Sequence, residues 1–155
     1  MSEHWNENQI NLVPVDQDNW RAAAGVEVFP EQRNFVADPA YYLCLCHYGE
    51  LWQPLAVKLD DRVIGFLMWA VDEADGSCWL GGILIDKAFQ GKGLGKTAVR
   101  MALDYLQVEH SCQQFALSYQ PENPARYLYE KLGFVETGEM EGEEIVARLK
   151  QLPRQ

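Results

Sequence analysis

The residues best suited to chemistry in this sequence lie together in Gln90-Gly91-Lys92-Gly93-Leu94-Gly95-Lys96. Three glycines let a main chain approach a ligand closely. The stretch follows the apolar run Ile83-Leu84-Ile85 and precedes residues with helical periodicity. A strand that turns through glycines into a helix start presents unpaired N–H groups and the positive end of a dipole. The natural guest is a phosphate or diphosphate. Lys92 and Lys96 add positive charge to an otherwise acidic chain.

Two familiar phosphate loops fit poorly. A nucleoside-triphosphate loop needs G-x-x-x-x-G-K-S/T. Gly95-Lys96-Thr97 supplies its end, but its first glycine falls on Gln90. The short dinucleotide pattern G-x-G-x-x-A occurs at Gly93 to Ala98. Its proper context is the first strand of a parallel βαβ unit, with an acid ~20 positions on. Here the loop sits in mid-chain, and residues 113–118 hold no acid.

The elements around the loop are legible from periodicity. Residues 9–15 alternate like a strand, and Asp18 can cap a helix over 19–25. Asp38-Pro39 opens a second helix, with Tyr42, Leu45 and Cys46 on one face. Residues 54–59 and 62–71 read as a hairpin joined at Asp60-Asp61. The turn signal Asp72 to Gly76 leads to a strand at 77–86. After the loop, Leu94, Ala98, Met101, Ala102, Tyr105 and Leu106 form one helical face. A strand at 114–119 follows, then a helix from Asn123-Pro124 that buries Ala125, Leu128, Tyr129 and Leu132 and ends at Gly133. Strands at 134–137 and 143–149 close the chain. The order β-α-α-β-β-β-α-β-α-β-β predicts an α/β domain, a mixed and mostly antiparallel sheet with helices on both faces. A length of 155 residues suits one domain, with its core over about 9–150.

Gln90-x-x-Gly93-x-Gly95 resembles the acyl-coenzyme A loop of the GNAT N-acetyltransferases. Leu128-Tyr129-Glu130-Lys131-Leu132-Gly133-Phe134 is similar to that family's second landmark, and the gap between the two agrees. Val28-Phe29-Pro30-Glu31-Gln32, Val63-Ile64-Gly65-Phe66 and Ser118 to Asn123 are similar to the diamine and spermine/spermidine acetyltransferase-like branch.

The resemblance implies a GNAT fold, acetyl-coenzyme A as co-substrate and no metal. It implies that Ile83, Leu84 and Ile85 meet the pantetheine arm through their main chain, and that Gln90, Gly91, Lys92, Gly93, Leu94, Gly95 and Lys96 hold the diphosphate. Tyr129 would be the acid that protonates the departing thiolate. Asn123 matches a cofactor-contacting asparagine, though its spacing to Tyr129 is one residue short, and Asn before Pro is also a helix cap. The branch often carries aromatic-arginine where this chain has Gly81-Gly82, a departure expected to enlarge the site. Trp69, Trp79 and Tyr42 could line an amine pocket, though ordinary core packing suits each of them.

Thirteen basic and 23 acidic residues give a net charge of −10, which argues against nucleic acid or an anionic membrane and suits a cationic small-molecule amine. A free alkylamine has a pKa near ~10.4, so a base is needed; Glu122, Glu27, Glu31 and Asp72 are the candidates. Cys44, Cys46, Cys78 and Cys112 form no CxxC pair and are expected as reduced thiols. Cys44-x-Cys46-His47 lacks metal-ligand spacing, and His4, His47 and His110 join no constellation. With no apolar leader or long apolar run, a cytoplasmic enzyme is expected. The family resemblance leaves a homodimer open. The rival readings are a GNAT module that binds acyl-coenzyme A without catalysis, an acetyltransferase for another amine (aminoglycoside-like, amino acid or protein), and a nucleotide-binding oxidoreductase subunit.

Overall fold

A computed structural model describes residues 5–150. Seven strands form one sheet in the order β1-β2-β3-β4-β5-β7-β6. They are β1 (Ile10–Pro14), β2 (Gln53–Leu59), β3 (Arg62–Val71), β4 (Cys78–Ile85), β5 (Gln114–Tyr119), β6 (Val135–Glu141) and β7 (Glu144–Lys150). Every neighbouring pair is antiparallel except β4 and β5, which are parallel. Helices α1 (Trp20–Ala24) and α2 (Pro39–Gly49) cover one face; α3 (Leu94–His110) and α4 (Ala125–Lys131) cover the other. The predicted mixed sheet, covered on both faces, is therefore the fold.

The local chemistry explains most boundaries. Pro39 occupies the first turn of α2 with Asp38 in extended backbone before it, as expected. At α1 the N-cap is Asn19 rather than Asp18, and Asp16 ties the turn before it. One oxygen of Asp16 accepts the N–H groups of Asp18 and Asn19, and Asn19 is the residue that enters the helix. In α3 the predicted Leu94, Ala98, Ala102 and Leu106 are buried, joined by Thr97, Val99 and Leu103, with Met101 and Tyr105 partly buried, and the helix closes over β4 and β1. In α4, Leu128, Tyr129 and Leu132 join the same core as α3.

Two bulges, invisible in the alternation of the sequence, reset which face each strand residue meets. In β3, Val57 of β2 pairs with Gly65 but Lys58 pairs with Val63, so Ile64 is the extra residue. In β4, Phe66 of β3 pairs with Leu84 but Met68 pairs with Gly81. Two steps along β3 thus match three along β4, which places a bulge at Gly82-Ile83. Leu80 and Ile83 consequently face the α3 side, while Leu84 faces α2. A regular strand would put Leu80 and Leu84 on the same face.

The cysteine expectation is corrected in one pair. Cys78 and Cys112 are joined by a disulfide, with Cα atoms 6.2 Å apart. The parallel register Cys78↔Phe115 brings the start of β4 beside the turn that follows α3. A sequence separation of 34 conceals that meeting. Cys44 is free and exposed; Cys46 is free and buried, and its burial raises the thiol pKa to about 11.

Denatured without reductant, the protein should titrate with two thiols, and with four after reduction. Four thiols before reduction would remove the Cys78–Cys112 bond from the native protein.

Candidate active site

The site begins where β4 and β5 part. They pair only at Cys78↔Phe115 and Trp79↔Ala116. Beyond that point β4 stays with β3 as far as Gly65↔Ile85, and β5 stays with β7 as far as Tyr119↔Ile145. The two strands are held apart by their outer partners, and the edges they turn to each other lose their ladder. A cleft of about 1040 Å³ occupies the gap and runs from the glycine loop to the β3–β4 turn and the β6–β7 hairpin. Ile83, Leu84 and Ile85 line one wall, Leu117 to Tyr119 the other, and α4 supplies Leu128 and Tyr129.

The loop after β4 is tied at both ends. Asp86 caps the turn, one carboxylate oxygen accepting Ala88 N–H and the other Glu27 N–H. Gln90 donates from Nε2 to the Ile85 carbonyl at 2.8 Å. It also exchanges amide hydrogen bonds of 2.8 and 2.9 Å with Gln32. The Gln90 side chain thus fixes the end of β4 and the segment before α2, and only its main chain is left for an anion. Gly91 and Gly93 both have φ 79°, a conformation that side chains oppose, and a Cβ at Gly91 would point into open space. Such a loop delivers the chain to Leu94 with the first N–H groups of α3 unpaired in the helix.

Not every predicted loop residue turns to the cleft. Gln90, Gly91, Gly93, Leu94, Gly95 and Lys96 line it, but Lys92 does not. The Lys92 carbonyl accepts the Trp5 indole N–H at 3.0 Å, and its ammonium lies 5.8 Å from the centre of the Phe89 ring. The Leu94 side chain is core, so only its main chain can serve a ligand. Lys96 is the one cation among the lining residues. Open glycines, a helix start and one ammonium fit a diphosphate.

The expectation that Gly81-Gly82 opens the site is corrected. A Cβ on Gly81 would stand 3.3 Å from the Trp52 ring, and one on Gly82 would stand 3.2 Å from the Tyr42 ring. The room given up by the strand is filled by rings from α2 and from the segment before β2. Tyr42 is set by stacking on Phe66 at 6.1 Å and by accepting the Ala37 N–H at 2.9 Å. Trp52 carries no local pattern that marks it in the sequence. Trp79 lines the cleft as well, whereas Trp69 is core, its ring 4.5 Å from His110.

Tyr129 stands on the cleft side of α4 and is only 8% exposed. Its ring is fixed by Tyr119 at 5.7 Å and Phe134 at 6.3 Å. Among the described residues its hydroxyl makes no hydrogen bond. Burial, first, then Tyr119, Tyr42 and Glu144 push its pKa well above the ordinary phenol value. Asn123 is nearby, and its side-chain oxygen accepts the Ala125 N–H at 2.9 Å, the predicted capping role. Its NH₂ group remains available to the cleft.

Among the predicted bases only Asp72 lines the cleft; Glu122, Glu27 and Glu31 do not, and Glu27 pairs with Lys87 at 3.2 Å. Three acids that the sequence left unmarked join Asp72 there: Glu73, Glu141 and Glu144. They come together only because the β3–β4 turn and the β6–β7 hairpin meet at the same end of the sheet.

A sheet splayed at one parallel pair, with a glycine loop and helix start at its end, defines an acyl-coenzyme A-dependent acyltransferase. The chain belongs to the acetyltransferase (GNAT) family, whose model matches residues 14–134. It is an N-acetyltransferase that uses acetyl-coenzyme A. The spermine/spermidine N(1)-acetyltransferase of Bacillus subtilis (strain 168) is 29% identical to it over 153 residues, covering 90% of this chain and 97% of the relative. The spermidine N-acetyltransferase of Vibrio cholerae, solved in complex with CoA and spermine, superposes with a TM-score of 0.70 at 23% identity, covering 91% of this chain and 94% of that one. A dodecameric structure of the Vibrio cholerae enzyme in an intermediate state gives 0.67 at 22%, covering 93% and 95%.

Gly82→Ala should destabilise the protein by about 1–2 kcal/mol, because the residue is held at φ 56° and the added methyl meets Tyr42. Urea unfolding measures this; an unchanged midpoint would mean that the bulge relaxes freely.

Proposed function

We propose that the chain acetylates a primary amine of a diamine or polyamine. The observation that carries this reading is the division of charge along the cleft. The glycine-loop end offers Lys96 and main-chain N–H groups, whereas the opposite end offers Asp72, Glu73, Glu141 and Glu144 without a cation among the lining residues. An anionic coenzyme and a polycationic acceptor would enter from opposite ends, each toward charge of the opposite sign. Trp52, Trp79 and Tyr42 add ring faces, which attract ammonium groups. The acceptors named for the Bacillus and Vibrio relatives agree with this chemistry.

In this reading the main chain of Ile83 to Ile85 runs along the pantetheine arm, and an N–H there stabilises the oxyanion. The main chain of Gln90, Gly91 and Gly93 to Lys96 and the Asn123 amide hold the coenzyme, while the Gln90 side chain and Lys92 brace the loop. Tyr129 protonates the departing sulfur. Its burial keeps the phenol protonated throughout the working pH range, so it is always ready as a donor. Self-association, with the dimer as its simplest form, and residence in the cytoplasm complete the proposal. No described helix is long and apolar enough to cross a membrane. A reducing cytoplasm would tend to open the Cys78–Cys112 bond.

The test is thiol release from acetyl-coenzyme A with a panel of amines. Spermine, spermidine and short diamines should exceed amino acids and aminoglycosides in kcat/KM. A preference for a neutral or anionic acceptor would overturn the reading. Tyr129→Phe should lower kcat about 10²-fold while leaving the thermal shift caused by acetyl-coenzyme A in place. Unchanged turnover would remove Tyr129 from the acid role.

A further inference from the structure

Of the four acids in the cleft, Glu144 alone is oriented towards the parted strands by a neighbouring side chain. Ser118 on β5 donates from Oγ to Glu144 Oε1 at 2.7 Å, across the β5–β7 pairing. Its other oxygen, Oε2, has no hydrogen-bond partner among the described residues. The side chain is half-buried, while Glu73 and Glu141 are exposed. Asp72 instead uses one oxygen to hold the Ala74 N–H in the β3–β4 turn. Tyr129 from α4 and Tyr42 from α2 line the same cleft as Glu144, Ser118 from β5 bonds it, and Glu141 on β6 is its cross-strand partner. Among the described residues it forms no ion pair, so its charge is left for a ligand.

Resting on the reading that the acceptor arrives as an ammonium ion, we propose that Glu144 is the base that takes the proton from the reacting amine, with Ser118 as its positioning residue. A carboxylate already aligned by one hydrogen bond, in the same cleft as the buried Tyr129, stands on the path of the attacking nitrogen. The balance is simple. Glu144 accepts one proton from R–NH₃⁺ and later releases it to solvent. The neutral nitrogen forms the C–N bond at the thioester carbonyl. The C–S bond breaks, Tyr129 gives its proton to the sulfur, and the second nitrogen proton returns to Tyr129. The products are the amide, the thiol and one proton.

The experiment is the pH profile of Glu144→Gln with spermine or spermidine. At pH 7 its kcat/KM should fall about 10²-fold. The loss should shrink steadily as pH rises toward the amine pKa near ~10.4, because the free amine then arrives already deprotonated. Glu144→Asp should recover part of the activity at pH 7. Ser118→Ala should lose a smaller factor with the same pH trend. The thermal shift with acetyl-coenzyme A should be unaffected in all three. A profile parallel to wild type, whether at full activity or lowered equally at every pH, would overturn the assignment while the acetylation reading stands. Wild-type protein inert toward every amine would overturn both.

Discussion

Two parallel strands that begin paired and then separate leave a row of main-chain donors and acceptors without partners. Buried and dry, each such group costs about 1–3 kcal/mol. The gap must therefore hold water or a ligand with amides of its own. A pantetheine arm is such a ligand, a chain of amides whose spacing suits a strand edge. The separation is enforced from outside, since β3 retains β4 through Ile85 and β7 retains β5 through Tyr119. Everything else in the site is arranged around that opening: the loop at one end, the acids at the other, and α4 alongside.

The loop shows how a site is made by dividing labour between main chain and side chain. Gln90, the residue that marks the motif, lines the cleft yet commits its amide to Ile85 and Gln32. Lys92 turns away to Phe89, with Trp5 on its carbonyl. These contacts keep Gly91 and Gly93 in left-handed backbone and aim the start of α3. A motif residue need not touch the ligand to be required by it. Losing Gln90 would free the end of the strand whose edge the coenzyme follows in the proposed reading.

What the sequence disclosed and what it hid divide along one line. Strand β5 is legible at its observed bounds, and α3 and α4 by their apolar faces, because periodicity is a local property. The glycine loop and Tyr129 came from two short landmarks. The Cys78–Cys112 bond, the Trp52 ring beside Gly81 and the grouping of Glu144 with Asp72 are products of pairing between distant segments. Nothing near them in sequence announces it. The bulge at Gly82 belongs to the same class: two adjacent glycines can mean space, a turn or a phase shift. Only the register of β4 against β3 shows the phase shift, and only Trp52 and Tyr42 show that the space is taken.

The acid and the base of such a reaction must differ in readiness, one holding its proton and the other giving it up, at the same pH. In the proposed pair the two groups differ in burial. Tyr129 lies under Tyr119 and Phe134, where ionisation would leave a charge without solvent, so the phenol keeps its proton. Glu144 lies at the wetter mouth, where Ser118 and the open cleft can satisfy a carboxylate. In the proposed mechanism an ammonium passing from the mouth inward would meet the acceptor before the donor. That order follows from which side of the parted strands faces water, and it would reverse if the hairpin acids and the tyrosine exchanged depths.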